Sequence, residues 1–168
     1  YREDDPVAPV HDYGRAKAAA EDVIRQIYPA AVIVRTSLII DPVAPDQQSA
    51  WIWRSIREHT TVTLFSDEYR CPVHRDDLVR ALLFLAKSDF SGVLHVAGTE
   101  RVSRYEIGLT LAAWAGLSGA GILLPGKSRA SGRMRPRDCS LDCRRARNLL
   151  PFPLRGFQAF MAKVTRSK

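Results

Sequence analysis

Tyr13 and Lys17 stand four residues apart in Tyr13-Gly14-Arg15-Ala16-Lys17. On a helix that spacing places two side chains on one face, about one turn apart. An ammonium beside a phenol favours the phenolate. A phenol so placed can give or take a proton in carbonyl–alcohol interconversion near neutral pH. The spacing is common on ordinary helices, so the pair takes its meaning from its surroundings. The remaining candidates point less far. His11, His59, His74 and His95 show no metal-ligand spacing, and His95, in an apolar stretch, reads as a satisfied core histidine. Cys71, Cys139 and Cys143 form no CxxC pair, and two thiols four residues apart make a poor zinc site. No metal site is therefore expected. Asp76 and Asp77 read as carboxylates of a helix first turn, and Trp51 and Trp53 as packing residues.

The elements that must hold Tyr13 and Lys17 follow from periodicity. Asp12 to Ile27 is alanine-rich, with an apolar stripe of Ala16, Ala20, Val23, Ile24 and Ile27, and predicts a helix. It follows an extended loop carrying Pro6 and Pro9. Ala31–Val34 is β-branched without alternation, as in a strand of a parallel sheet buried on both faces. Residues 41–45 form a loop. Further helices are predicted over Gln47–His59 and Asp76–Lys87, the latter with Leu78, Leu82 and Leu85 inward. Strands are predicted at Val62–Phe65 and Val93–Val96. Ser103-Arg104-Tyr105-Glu106 fits a capping box opening a helix to Ala115. Gly116–Gly121 is a turn and 126–138 a basic loop. A short helix near 141–150 and a last one from Leu154 follow, the last with Phe157, Phe160, Met161 and Val164 on one face. Strands alternating with helices predict an α/β protein with a largely parallel sheet. The strand, glycine-rich turn and helix that cradle a dinucleotide pyrophosphate do not occur, since Gly116-x-x-Gly119-x-Gly121 follows a helix.

The 168 residues carry a net charge of +7, unevenly spread. Residues 1–100 hold 11 Lys/Arg against 15 Asp/Glu, whereas residues 101–168 hold 14 against 3. Seven arginines lie between Arg129 and Arg147. Such a cluster suits either an anionic partner or a solvated basic face. With 46% hydrophobic and 26% charged residues the chain is globular rather than disordered. No stretch approaches the roughly 18 apolar residues of a membrane span. Nucleic acid is not an expected partner, because no helix-turn-helix, zinc-finger or RNA-binding signature accompanies the arginines. The cysteine usage and the acidic first residues fit a cytoplasmic setting.

Taken in order, several segments resemble extended short-chain dehydrogenases/reductases. These are Glu3-Asp4-Asp5-Pro6, Pro9, Tyr13-Gly14-x-x-Lys17 and Ala20-Glu21; Val32–Ser37; Asp67–Pro72 with Asp76-Asp77-Leu78; Gly92–Gly98; Ser103–Glu106; and Arg135–Asp142. The branch they resemble is that of dTDP-4-dehydrorhamnose reductases, which also includes the regulatory β subunit of methionine adenosyltransferase. The resemblance covers nearly the whole chain. It implies the C-terminal part of a Rossmann-type α/β reductase: parallel strands with helices over about 1–60 and 75–100, and a small substrate lobe over about 61–74 and 101–168. The nucleotide-binding half and the Ser/Thr that completes the catalytic group would be absent, leaving this chain inactive alone.

By the same resemblance Tyr13 is the proton donor to a carbonyl, and Lys17 holds the nicotinamide ribose. Tyr13, Lys17 and Ser37 contact NADP or NAD. Leu38, Arg70 and Arg135 contact a nucleotide-linked 4-keto sugar, the arginines through its diphosphate. Leu38 stands where the reductases carry a tryptophan, which leaves the sugar open. An NAD(P)-dependent reductase of dTDP-rhamnose biosynthesis and a non-catalytic binding subunit of the same fold both stay open, as does a homodimer.

Overall fold

In the computed structural model residues 1–44, 46–132 and 135–163 are described. Pro45 of the 41–45 loop, Arg133 of the arginine stretch and Val164 of the last apolar face lie outside them. Helix α1 (Asp12–Ile27) leads into β1 (Val32–Arg35), then β2 (Ile39–Ile40) and α2 (Gln47–Arg57). Next come β3 (Val62–Phe65), β4 (Tyr69–Arg70), β5 (Val73–His74), α3 (Arg75–Leu85) and β6 (Gly92–His95). The chain continues through β7 (Val102–Ser103), α4 (Arg104–Trp114) and β8 (Leu123–Gly126), then a 3-10 turn at Ser128–Ser131. It closes with α5 (Arg144–Leu149) and α6 (Phe157–Lys163).

The strands pair two by two. β1 with β6, β2 with β5 and β3 with β8 are parallel, whereas β4 with β7 is antiparallel. Parallel pairing requires helical crossovers, and α2, α3 and α4 all lie within the long connections that supply them. The protein is thus α/β with mainly parallel strands.

Helix starts follow local chemistry. The Asp46 carboxylate accepts from the Gln48 and Ser49 amides at 2.8 and 3.1 Å to open α2. Ser103 and Glu106 close a reciprocal capping box on α4. Two apolar clusters support the fold. In one, Ile52, Trp53 and Ile56 of α2 meet Leu111, Leu123 and Phe157, and the Trp53 Nε1 donates to the Leu111 carbonyl at 3.0 Å. In the other, Val73, Leu78, Ala81 and Leu94 pack with Ala146 and Leu154.

Three expectations change. The apolar stripe of α1 covers nothing: no α1 residue is buried, and Ile27 is 78% exposed. Ile33 is the only fully buried residue of β1, so that strand is not buried throughout. Leu82 points outward, because Leu78, Ala81 and Leu85 already fill the buried face of α3. The Asp76-Asp77 pair also divides. Asp76 is exposed beside Arg75, whereas Asp77 is 2% exposed and accepts from Arg155 Nε and Nη2 at 2.9 and 2.8 Å. This ties α3 to the segment entering α6. Asp77→Ala would leave Arg155 without its buried partner. A loss of about 3 kcal/mol in unfolding free energy is expected, measurable by urea titration.

Candidate functional site

The His11 side chain caps α1, its Nδ1 accepting from the Gly14 amide at 2.9 Å. A Cβ on Gly14 would lie 3.1 Å from Pro9 Cβ and 3.2 Å from His11 Nδ1, so the residue after Tyr13 has to be small for the cap to close. Tyr13 then emerges on the first turn, 70% exposed. The Lys17 Nζ lies 5.6 Å from its ring centroid, within cation–π range. Among the described residues Lys17 makes no ion pair, so its ammonium donors remain open to a ligand.

Both side chains line a cleft of about 510 Å³, together with Ser37, Leu38, Arg70 and His95. Ser37 and Leu38 follow the end of β1. The Ser37 Oγ accepts from the Cys71 amide at 3.1 Å, and the Leu38 carbonyl from the Val73 amide at 2.8 Å. These bonds fasten the β1 exit to the loop that presents Arg70. The Arg70 Nη1 donates to the Tyr69 carbonyl at 2.6 Å. Arg135 does not line the cleft, although the adjacent Pro136 does. It is exposed, with its guanidinium 5.9 Å from the Phe65 ring centroid.

A charged pair that spacing does not reveal holds the helix in place. Arg35, the last residue of β1, donates through Nε and Nη2 to the two Glu21 oxygens at 2.8 and 2.7 Å. Arg25 adds a third donor at 2.9 Å. The Arg35 hydrogen bond, against the opposing effect of burial, holds the Glu21 carboxyl below its usual pKa. Glu21 was legible only as part of the Ala20-Glu21 match.

His95 departs from the expected satisfied core residue. It is fully buried, yet neither ring nitrogen makes a hydrogen bond of ordinary geometry. Its backbone is what is anchored, the amide donating to Glu3 Oε1 at 3.1 Å. Strand periodicity reports burial but cannot report what a side chain meets. Among the described residues no group of His, Cys, Asp and Glu could hold a metal ion. No helix among the described residues is long and apolar enough to cross a membrane.

The model of one family, the RmlD substrate binding domain, matches residues 1–167. The dTDP-4-dehydrorhamnose reductase of Mycobacterium tuberculosis is 33% identical over 106 residues, covering 62% of this chain and 35% of the reductase. Methionine adenosyltransferase 2 subunit beta of Danio rerio is 23% identical over 154 residues, covering 86% of this chain and 48% of the subunit. The chain therefore spans half or less of the length of these relatives. In fold it is similar to the dTDP-4-dehydrorhamnose reductase of Bacillus anthracis solved in complex with NADP. The TM-score is 0.86 at 20% identity, over 97% of this chain and 58% of that one.

Burial depresses the His95 pKa from its ordinary 6.5, with Glu3 and the Asp142 backbone partly opposing and Arg35 reinforcing. Below pH 6.5 the unfolded chain takes up a proton that the folded chain refuses, so stability falls as the pH drops. Urea unfolding from pH 7.5 to 5 is expected to show this slope, and His95→Asn to flatten it between pH 6.5 and 5.

Proposed function

Because the chain belongs to the RmlD substrate binding domain family, we propose that it is the substrate-binding part of an NAD(P)-dependent reductase acting on a nucleotide-linked 4-keto sugar. The observation that carries the reading is the placement of Tyr13 and Lys17 on one face of α1, open to the cleft that Arg70 closes at another side. The likeness to a dTDP-4-dehydrorhamnose reductase supports the same substrate class.

The division of labour follows from the side chains. The Tyr13 hydroxyl, exposed to the cleft, donates a proton to the carbonyl oxygen as the alcohol forms. The Lys17 ammonium stabilises the phenolate left behind and has donors free for ribose hydroxyls. Ser37 borders the same space. The nicotinamide cofactor supplies the hydride when bound. Arg70 offers its guanidinium to the substrate diphosphate, where each charge-assisted contact contributes about 1.5–3 kcal/mol. Arg135, which stands outside the cleft beside Phe65, has to swing inward to join it, and Leu38 packs against the sugar.

Lys17 and Ser37 suit the nicotinamide-ribose end of the cofactor, but the sequence holds no glycine-rich turn for the pyrophosphate. The chain alone is therefore inactive, and catalysis needs a nucleotide-binding half joined to it. A cytoplasmic setting suits the three free thiols. A second reading, a binding or regulatory subunit, draws on the alignment to the adenosyltransferase subunit, which covers more of this chain than the reductase does.

Titrating the 168-residue chain with NADPH is expected to give weak, non-saturating binding, and a micromolar Kd would contradict the division proposed. In a protein that joins this chain to a nucleotide-binding half, Tyr13→Phe is expected to lower kcat by about 100-fold or more with a dTDP-4-keto-6-deoxy sugar. Tight substrate binding without turnover in the parent would favour the second reading.

A further inference from the structure

The Arg70 end of the cleft gathers more positive charge than its own carboxylates balance. Arg104 is the first residue of α4, and its Nε lies 3.8 Å from Glu68 Oε2. Arg70 places Nη2 3.7 Å from the same oxygen. Both separations exceed a hydrogen bond. Glu68 is 1% exposed, and its Oε1 has no hydrogen-bond partner. The side-chain hydrogen bond that Arg104 does make goes to the neutral Gln48, whose Oε1 accepts from Nη1 at 2.6 Å.

Arg104 does not itself line the cleft but stands next to its Arg70 end, across Glu68 from Arg70. Cys139 lines the cleft beside Arg70, and its thiol lies within the fields of Arg70, Glu68 and Arg104. Burial, followed by the field of Arg70, pushes the Arg104 guanidinium below its ordinary pKa, and Arg135 adds to this while Glu68 opposes it. Nearby Asp138 is engaged elsewhere, accepting from Arg101 Nε at 2.8 Å. One buried carboxylate thus lies between two guanidinium groups, those of Arg70 and Arg104. Like charges so confined are unfavourable until a counter-charge arrives.

We propose that Arg104 is a third arginine of an anion site shared with Arg70 and Arg135, in which the buried Glu68 positions the Arg70 and Arg104 guanidinium groups to take up a diphosphate. The planar fork of arginine matches phosphate oxygens in pairs, and three forks suit two linked phosphates better than one. Identifying that diphosphate as part of a nucleotide-linked sugar rests on the reductase reading, whereas the anion site itself does not.

Isothermal titration of the 168-residue chain with dTDP, inorganic pyrophosphate and thymidine tests this. The two diphosphates are expected to bind and thymidine to give no heat. Arg104→Ala is expected to raise both Kd values by about 10-fold or more. Arg104→Lys keeps a cation beside Glu68, guarding against a folding defect, and is expected to raise them several-fold because the fork is lost. Arg144→Ala, in the same basic stretch but paired with Asp142, is expected to leave them within about twofold. Kd values unchanged in both Arg104 variants, an equal loss in Arg144→Ala, or no diphosphate binding by the parent would each overturn the proposal. Arg104-dependent diphosphate binding in a protein whose turnover ignores Tyr13→Phe would overturn the reductase reading and leave the anion site standing.

Discussion

The bidentate pair between Glu21 and Arg35 is the contact on which the cleft depends. Helix α1 buries none of its residues, so apolar packing contributes little to its position. Two charge-assisted hydrogen bonds of 2.8 and 2.7 Å instead fix its middle to the end of β1. Their geometry is of the fork-to-fork kind that gives direction as well as energy. The constraint continues inward. Arg35 is paired in register with His95 on β6, and the His95 amide is held by Glu3. One run of contacts thus links the helix bearing Tyr13 and Lys17, the strand ending above Ser37, and the segment before the helix.

The opposite wall is built differently. The loop carrying Arg70 is stitched through its backbone, with the Tyr69 amide donating to the Arg137 carbonyl at 2.6 Å and the Arg104 amide to the Glu68 carbonyl at 2.9 Å. The Arg101 guanidinium covers the Tyr69 ring at 3.3 Å. At Gly98, which follows β6, a Cβ would fall 1.9 Å from the Pro72 carbonyl oxygen, so this approach of the loop to the sheet requires glycine. One wall is therefore rigid through backbone pairing and the other hangs on charge. Substrate contacts on the Arg70 side and proton transfer on the Tyr13 side meet across that difference.

The long elements were legible in the sequence because their signals are local. Alanine content and spacing mark α1, and Ser103 with Glu106 marks the start of α4. The two-residue strands β2, β4, β5 and β7 were not legible, since two residues cannot display a period of two. β8 was masked by Pro125, which sits in it opposite Leu64. Tyr13, Lys17, Ser37, Leu38 and Arg70 are brought to one cleft from separate segments, while Arg135 stands outside it. What the sequence could not show were the pairings across long separations: Glu21 with Arg35, Asp77 with Arg155, and Glu68 between Arg70 and Arg104. Each involves residue types that usually sit in solvent, and only the folded chain shows which of them are withdrawn from it.

Native-state amide hydrogen exchange in Glu21→Gln tests the dependence of α1 on its ion pair most directly. The neutral amide keeps the shape and loses the charge, at an expected cost of about 1 kcal/mol. The α1 amides from Lys17 to Ile27 are expected to lose about fivefold in protection, while those of β3 and β8 keep theirs. Unchanged protection across α1 would contradict the account, because the helix would then be held by something other than Arg35.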